Sequence, residues 1–229
     1  MDSWSKNFEL LIKSRTPLIW IRTKEEDRLH NILYKSCKRL NIKRFVSWDC
    51  VNGIKGALNE EGKFSNNPIG ALNWIKEQSP ELSTLFLVKD FHKFYDDPSI
   101  TRTIKGLSSS LRETSHNLVL SSYVLPSSEE IDDLITTINL PLPDLGELTT
   151  LIKQIAINTD SDLREQDLNE LAIASSGLSE TKLKQVTAKA LTQRGKISKE
   201  DIKDILEEKK QVIARSEVLE FFESNSTQN

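Results

Sequence analysis

The segment LFLVKDFHKF, residues 85–94, contains the side chains whose order is most suggestive of chemistry. Four apolar residues run directly into Lys89 and Asp90. A carboxylate at the end of a buried strand can help to hold Mg²⁺ beside the phosphates of a nucleotide. Hydrolysis would also need a group that activates water, and the residue after Asp90 is Phe91. The decisive question is therefore which residues would hold the phosphates.

The turn where a phosphate loop belongs contains no glycine. The first apolar strand ends in IRTKEEDRL, whereas a phosphate loop reads G-x-x-x-x-G-K-[ST] between a strand and a helix. Thr23 and Glu26 instead predict a capping box, with Thr23 as the N-cap of the next helix. Glu25, Glu26 and Asp27 would then occupy the helix N-terminus, where their charges oppose a bound phosphate. The sequence predicts an ordinary strand-to-helix turn that binds no nucleotide.

A second glycine-containing segment, GALNEEGKF at 56–64, matches a phosphate loop only in part. Five residues separate Gly56 from Gly62, which is one more than the motif has. Phe64 occupies the position where Ser or Thr would contact Mg²⁺, and the segment follows the second strand rather than the first. We expect a surface loop or hairpin here.

Composition and spacing argue against several classes of function. The 229 residues carry a formal net charge of −3 and the sequence pI is near 5.8, so no basic field for nucleic acid or an anionic membrane is expected. No apolar run approaches the roughly 20 residues that span a bilayer, and the N-terminus lacks the pattern of a signal peptide. The two cysteines, Cys37 and Cys50, are typical of a reducing compartment.

The elements that would position these residues alternate between strands and helices. Apolar runs predict strands, and amphipathic stripes predict helices, the first of which carries Trp4, Phe8, Leu11 and Ile12. The predicted strands lie at 18–22, 44–49, 84–90, 117–123 and 135–143, and the helices between them at 24–40, 68–77 and 98–114. Such alternation is typical of an α/β domain whose parallel sheet is covered by helices on both faces.

The pattern changes after Pro143. Four successive amphipathic stripes predict a small helical bundle, with Ser179 and Ser198 as N-caps. The predicted division is an α/β domain, a helical bundle and a polar tail or linker, at 1–143, 144–215 and 216–229.

Six stretches carry a family resemblance that extends over nearly the whole chain. They read TPLIWIRTKEEDRL, FVSWDCVNG, NPIGALNWI, LFLVKDFHKFYDDPSITR, LPLPDLGEL and ISKEDIKDILEEKKQVIARSEVLEFF. They resemble the N-terminal region of the AAA-type ATPase family of hypothetical chloroplast reading frame forty-six, found in cyanobacteria and algal plastids. The resemblance implies a degenerate AAA-like (P-loop NTPase-like) three-layer fold with a parallel sheet, followed by a helical lid. It also implies that the 85–89 strand lies beside the 118–122 strand, and that an active ATPase module follows.

Set against that family, the positions that would contact nucleotide are altered. Thr23 stands in place of the phosphate loop. Lys89 and Asp90 stand at the Mg²⁺-holding motif, without the neighbouring acid. Ser121 and Ser122 stand where an AAA module senses the γ-phosphate, usually with Asn or Thr. Because phosphoryl transfer depends on positioning and charge, we expect no catalytic residue and no bound nucleotide or other cofactor.

Two further family positions and the histidines support the same expectation. The segment 123–135, where the family normally has arginine fingers, contains no arginine and four acids. The lid helix offers only Lys182 and Lys184 in place of a sensor arginine. No metal site is expected either, since the histidines are scattered without ligand spacing, at His30, His92 and His116.

Two classes of function remain. The first is a non-catalytic AAA-like module for protein interaction or assembly, the N-terminal part of an AAA ATPase that the resemblance links to regulation of photosynthesis or inorganic carbon use. The alternative is a nucleotide-binding ATPase with an unorthodox phosphate loop. A third interpretation is a degenerate subunit like those of clamp loaders, although the lack of basic surface argues against DNA contact.

The expected partner is a protein or the chain's own C-terminal ATPase module, with no nucleic acid and no membrane span. We expect the isolated chain to be monomeric or weakly associating, in a cyanobacterial cytoplasm or the plastid stroma. The candidate contact surface comprises the mixed-charge helices at 179–193 and 198–214 and the N-terminal helix with Trp4 and Phe8.

Overall fold

The computed structural model describes residues 3–125 and 130–226, with side chains described as far as residue 214. The chain forms two compact units, Met1–Pro141 and Leu142–Asn229. Among the described residues, no helix combines the length and the apolar character that crossing a bilayer requires.

The first unit is built on a six-stranded sheet. Its strands are β1 (Leu18–Arg22), β2 (Arg44–Asp49), β3 (Gly53–Lys55), β4 (Thr84–Lys89), β5 (His116–Ser122) and β6 (Thr136–Asn139). Their order across the sheet is β3-β2-β4-β5-β1-β6. All neighbouring strands are parallel except β2 and β3. The predicted parallel sheet is confirmed, and so is the pairing of β4 with β5.

The hairpin strand β3 was not predicted as a strand. It has only three residues, of which Ile54 alone is a large apolar side chain, so alternation cannot reveal it. Ile54 is buried, and its backbone pairs with the returning loop through Lys63 O at 3.0 Å and Gly62 N at 2.8 Å. The glycine-containing segment 56–64 is therefore the far side of a hairpin that covers the sheet edge.

Four helices cover the two faces of this sheet. They are α1 (Ser3–Lys13), α2 (Glu26–Arg39), α3 (Pro68–Lys76) and α4 (Pro98–Arg112). Successive strand residues point to opposite faces. Leu87 accordingly packs in the layer of Phe8 and Leu29 from α1 and α2, whereas Phe86 packs in the layer of Ile104 from α4.

α1 directs its aromatic residues into the protein, so the prediction that Trp4 and Phe8 form a contact surface is wrong. Phe8 is fully buried, and its ring stacks on that of Trp4 with 5.6 Å between centroids. Trp4 Nε1 donates a hydrogen bond of 2.7 Å to Asn139 O on the edge strand β6. The apolar stripe of this helix packs against the sheet and is therefore not available to a partner.

The second unit is a helical bundle around its own apolar core. Its helices are α5 (Leu145–Asn158), α6 (Glu165–Ser175), α7 (Glu180–Arg194) and α8 (Ile202–Ser226). Leu148, Leu171 and Leu183 lie in the core. The caps predicted at Ser179 and Ser198 are confirmed, because each hydroxyl accepts a hydrogen bond from a backbone N–H of the following turn.

The last helix of the second unit extends further than the sequence predicted. α8 continues through Ser226, so the tail boundary predicted at residue 215 falls inside a helix. The remaining tail residues, 227–229, lie outside the described residues.

Candidate functional site

The carboxyl ends of β1, β4 and β5 bring the altered nucleotide positions together. Ser121 lies opposite Lys89 in the register of β4 and β5. Thr23 N donates a hydrogen bond of 2.8 Å to Ser122 O. Asp90 follows Lys89 directly and is exposed. In open α/β sheets this edge is where ligands bind, so the five residues do occupy a ligand-binding location of the fold.

The connection from β1 to α2 is only three residues long, and its first and last N–H groups are engaged within the chain. Besides the bond from Thr23 N, Glu25 N donates to the hydroxyl of Thr23 at 2.9 Å. A phosphate loop needs several N–H groups turned toward the anion. α2 begins at Glu26 with Glu25 as its N-cap residue, and no side chain caps it. The predicted capping box is therefore wrong, because the hydroxyl of Thr23 closes the turn before the helix begins.

A buried ion pair holds this turn from the inside. Arg28 Nη1 lies 2.9 Å from Glu25 Oε2, and both side chains are at most 7% exposed. The same nitrogen donates to Pro141 O at 2.6 Å. A buried charge is tolerated only when it is paired and hydrogen-bonded. Glu25 is thus part of the turn's support, while Glu26 and Asp27 form the acidic first turn of α2.

Lys89, the basic residue at the end of β4, is engaged by α2. Its Nζ lies 3.5 Å from Glu26 Oε2, and its side chain is 19% exposed. Its charge also acts on His30, whose pKa is lowered first by burial and then by Lys89. The ammonium therefore already has a carboxylate partner in the protein.

Asp90 and the residue after it face different environments. Asp90 is exposed, has a φ of 52° and begins a short 3₁₀ turn without capping it through its side chain. Phe91 is fully buried and packs edge-on against Trp20, with 6.3 Å between ring centroids. Phe91, the residue next to Asp90, thus belongs to the apolar core.

Both serines at the end of β5 are buried in the protein. Ser121 is 1% exposed and Ser122 is 5% exposed. Trp20 Nε1 donates a hydrogen bond of 3.0 Å to Ser122 Oγ, and this hydroxyl in turn donates to Val124 O. Ser122 therefore fixes the indole of Trp20. Of the acid-rich segment predicted at 123–135, residues 126–129 lie outside the described residues.

Lys182 and Lys184, the lysines predicted in place of a sensor arginine, are also paired with carboxylates. Lys182 Nζ lies 2.7 Å from Glu208 Oε1, and Lys184 Nζ lies 2.6 Å from Glu180 Oε1. Both pairs are formed within the helical bundle.

No metal-binding cluster of three or more His, Cys, Asp or Glu occurs in the described part of the chain. The ring of His92 packs edge-on against Tyr123, with 5.1 Å between centroids. His116 lies at the start of β5, where burial lowers its pKa. The thiol of Cys37 is buried under α2, which raises its pKa to about 12 and makes it a poor nucleophile.

An open cleft that sequence reasoning missed lies beside the turn. It has a volume of about 300 Å³ and is lined by Arg22, Thr23, Lys24, Tyr123, Asn139 and Leu140. Arg22 Nε donates to Tyr123 O at 3.2 Å. Only the parallel pairing of β1 with β6 brings Asn139 opposite Arg22, so the cleft could not be found from local spacing. Two cations and no carboxylate are among its lining residues.

Comparison with protein families gives two adjoining matches. Residues 4–140 match the family model of the SpoVK-like AAA ATPase N-terminal domain, and residues 146–216 match that of the second domain of SpoVK-like AAA ATPases. Two curated relatives carry the name uncharacterized AAA domain-containing protein ycf46. The protein of Guillardia theta is 33% identical over 220 residues, covering 96% of this chain and 44% of the relative. That of Trieres chinensis is 35% identical over 220 residues, covering 94% and 44%. The chain thus spans less than half the length of these relatives.

Solved structures share the fold at low sequence identity. A chain of the E. coli MS115-1 HORMA:CdnC:Trip13 complex has a TM-score of 0.61 at 9% identity, covering 90% of this chain and 87% of that chain. Caenorhabditis elegans PCH-2 has a TM-score of 0.55 at 11% identity, covering 93% and 68%. These similarities, together with the six-stranded sheet and the helical bundle, confirm the predicted AAA-like fold class.

Proposed function

The chain belongs to the SpoVK-like AAA ATPase family, and from that premise we propose that it is a non-catalytic AAA-like module for protein interaction or assembly. The observation that carries the proposal is the β1–α2 turn. Its N–H groups at Thr23 and Glu25 are bonded within the chain, and the buried pair of Glu25 and Arg28 supports it. A triphosphate placed there would find no donor loop and would face the acids that begin α2.

The rest of the proposal concerns the longer protein. ATP hydrolysis would reside in a module outside these residues, and the greater length of the curated relatives supports this division. The partner would be that ATPase module or another protein. The family resemblance extends the proposal to the plastid stroma or a cyanobacterial cytoplasm, and to regulation of photosynthesis or inorganic carbon use.

Nucleotide binding through an unorthodox phosphate loop is a second candidate, favoured by the open cleft. Arg22 and Lys24 supply two exposed cations beside Tyr123. The volume of the cleft lies at the lower end of the range of about 300–1,000 Å³ typical of small-molecule pockets. Any nucleotide there would lie on the β6 side of β1, and Arg22 would contact its phosphates.

A titration with Mg-ATP, followed by calorimetry and tryptophan fluorescence, distinguishes the candidates. We expect no saturable binding below about 1 mM, which corresponds to a binding free energy weaker than roughly −4 kcal/mol. Micromolar binding that Asp90→Ala abolishes would show an AAA-type nucleotide site and overturn the proposal. Micromolar binding that Arg22→Ala abolishes and Asp90→Ala retains would establish the second candidate. Lys93→Ala, an exposed residue of the same edge, is the matched control.

A further inference from the structure

The charge of the chain is distributed unevenly. Residues 1–43 contain ten Lys and Arg against five Asp and Glu, although the formal net charge of the whole chain is −3. The negative charge is therefore concentrated after residue 43. The net charge concealed a basic region, so the expectation that the chain has no basic field needs correction at this place.

The exposed surface of this region has two parts, and the first is the outer side of α1. Phe8 and Ile12 are buried against the sheet, and the opposite stripe carries Lys6, Leu10 and Lys13, all exposed. Leu10 is 62% exposed. The spacing of four and then three residues places these three side chains on one line along the helix.

The second part is the outer side of α2. Leu33 lies under this helix, and Tyr34, Lys35 and Lys38 are exposed on it. Lys38 Nζ lies 4.4 Å from the centre of the Tyr34 ring, and Tyr34 is 46% exposed. α1 and α2 contact each other and share one apolar cluster on the same face of the sheet, so both exposed sides form one outer surface.

The charges of this surface lack acidic partners in the described part of the chain. No carboxylate lies within 4.0 Å of the ammonium groups at Lys6, Lys13, Lys35 or Lys38 in the described residues. The acid of α1, Glu9, is buried and paired with Arg39 at 2.6 Å. Lys35 and Lys38 are three residues apart on α2, so their like charges repel each other, and an anionic partner would relieve that repulsion.

We propose that this basic face, defined by Lys6, Leu10, Lys13, Tyr34, Lys35 and Lys38, binds an acidic amphipathic segment of a partner protein. The proposal rests on the proposed function as an interaction module and names the chemistry of the partner. Carboxylates of the segment pair with the lysines, and its apolar side chains cover Leu10 and Tyr34. Apolar anchors inside a charged rim are the usual anatomy of a protein–protein contact.

Two other anionic partners fit the face less well. A nucleic acid offers phosphates to the lysines but leaves Leu10 without an apolar contact, and the four defining cations are lysines rather than the arginines that bind phosphate in a bidentate manner. A membrane surface would need an apolar helix face to insert. The apolar face of α1 is already buried against the sheet.

Fluorescence anisotropy of the 229-residue chain with a labelled helical peptide of Glu and Leu at amphipathic spacing tests the proposal. Changing the four lysines of the face to Gln is expected to weaken binding at least about tenfold, and added salt is expected to weaken it further. Leu10→Ser should weaken binding about tenfold as well, since the apolar contact that the peptide makes with Leu10 is lost. The matched control changes four exposed lysines on other surfaces to Gln: Lys55, Lys76, Lys93 and Lys153.

Three results would overturn the inference. The first is equal weakening by the control set, and the second is equal affinity for a Glu-only peptide of the same charge. The third is tighter binding to oligo-dT or to phosphatidylserine vesicles than to the peptide. Unchanged urea midpoints of the variants exclude misfolding as the cause. The Mg-ATP titration is independent: a chain that binds ATP and also binds the peptide on this face overturns the proposed function and leaves this inference intact.

Discussion

At the residue scale, the pair of Glu25 and Arg28 has the largest expected effect on stability. Arg28→Met removes the cation that pairs with the buried carboxylate of Glu25, and breaking a buried ion pair costs about 3–5 kcal/mol in comparable cases. Glu25→Leu combined with Arg28→Met removes both charges and should recover most of that loss. Urea denaturation at pH 7 measures the free energy of unfolding of each variant.

An exposed ion pair provides the control for this prediction. Lys63 Nζ lies 3.0 Å from Glu60 Oε1, and the lysine side chain is 54% exposed. Lys63→Met should therefore cost no more than about 1 kcal/mol. A similar small cost for Arg28→Met would mean that the turn is solvated, and the structural argument against a phosphate site would weaken accordingly.

Two histidines with lowered pKa, the buried His116 and the partly exposed His30, predict how stability depends on pH. Burial lowers the pKa of His116 below its usual value near 6.5, and burial and Lys89 lower that of His30. Between the lowered pKa and 6.5 the unfolded chain binds more protons than the folded chain, so stability falls as the pH falls. We expect the urea midpoint to decrease from pH 7 to pH 5, and His116→Gln to decrease less over that interval. An identical decrease in His116→Gln would assign the effect to other groups.

At the scale of elements, the β2–β3 hairpin offers a matched pair of glycines. Gly53 and Gly62 both have positive φ, 66° and 78°, so alanine at either position incurs roughly 1–2 kcal/mol of backbone strain. A Cβ at Gly53 would also collide with the carbonyl oxygens of Lys63 and Gly62, whereas a Cβ at Gly62 would meet open space. Gly53→Ala should therefore lower the free energy of unfolding clearly more than Gly62→Ala. Equal effects in urea denaturation would show that the loop moves aside freely.

The elements also show what the sequence could predict. The strands at 84–90 and 117–123 were recognisable because β4 and β5 are central, so their side chains are buried on both faces and form continuous apolar runs. The short strand β3 was not, since its pairing with β2 and with the loop is a tertiary property. The error at Thr23 was local instead. Its hydroxyl was assigned correctly to the turn but to the wrong N–H, because α2 begins later than predicted and a shift of the helix start changes the donor.

The candidate site was predictable in its members and not in their surroundings. Lys89 and Asp90 were found from the apolar run before them, and the family resemblance added Ser121 and Ser122 at the end of the neighbouring strand. Their interaction partners come from residues distant in sequence. Trp20 donates a hydrogen bond to Ser122, and Glu26 forms an ion pair with Lys89. The cleft beside Arg22 depends on β6 and was likewise invisible locally.

At the scale of the whole molecule, the uneven distribution of charge along the chain places the proposed partner surface away from the carboxyl edge of the sheet. Residues 1–43 have a net positive charge, with ten Lys and Arg against five Asp and Glu, and they include the two helices α1 and α2 that cover one face of the sheet. The altered nucleotide positions lie at the carboxyl edge of the same sheet. A partner on the basic face would therefore not need to occupy that edge, so the proposed partner binding does not depend on whether the edge binds a nucleotide.

Assembly of the longer protein is the last prediction. If the chain is an assembly module, the isolated 229 residues should sediment as a monomer or a weakly associating species. A complete relative such as the ycf46 protein of Guillardia theta should form rings, and deleting its segment that matches residues 1–215 should reduce ring formation. Sedimentation velocity with and without Mg-ATP measures this, and the complete relative with Lys→Gln changes outside the segment is the control. Equal ring formation after the deletion would remove assembly from the proposed function, and recruitment of a partner would then be the role left for this module.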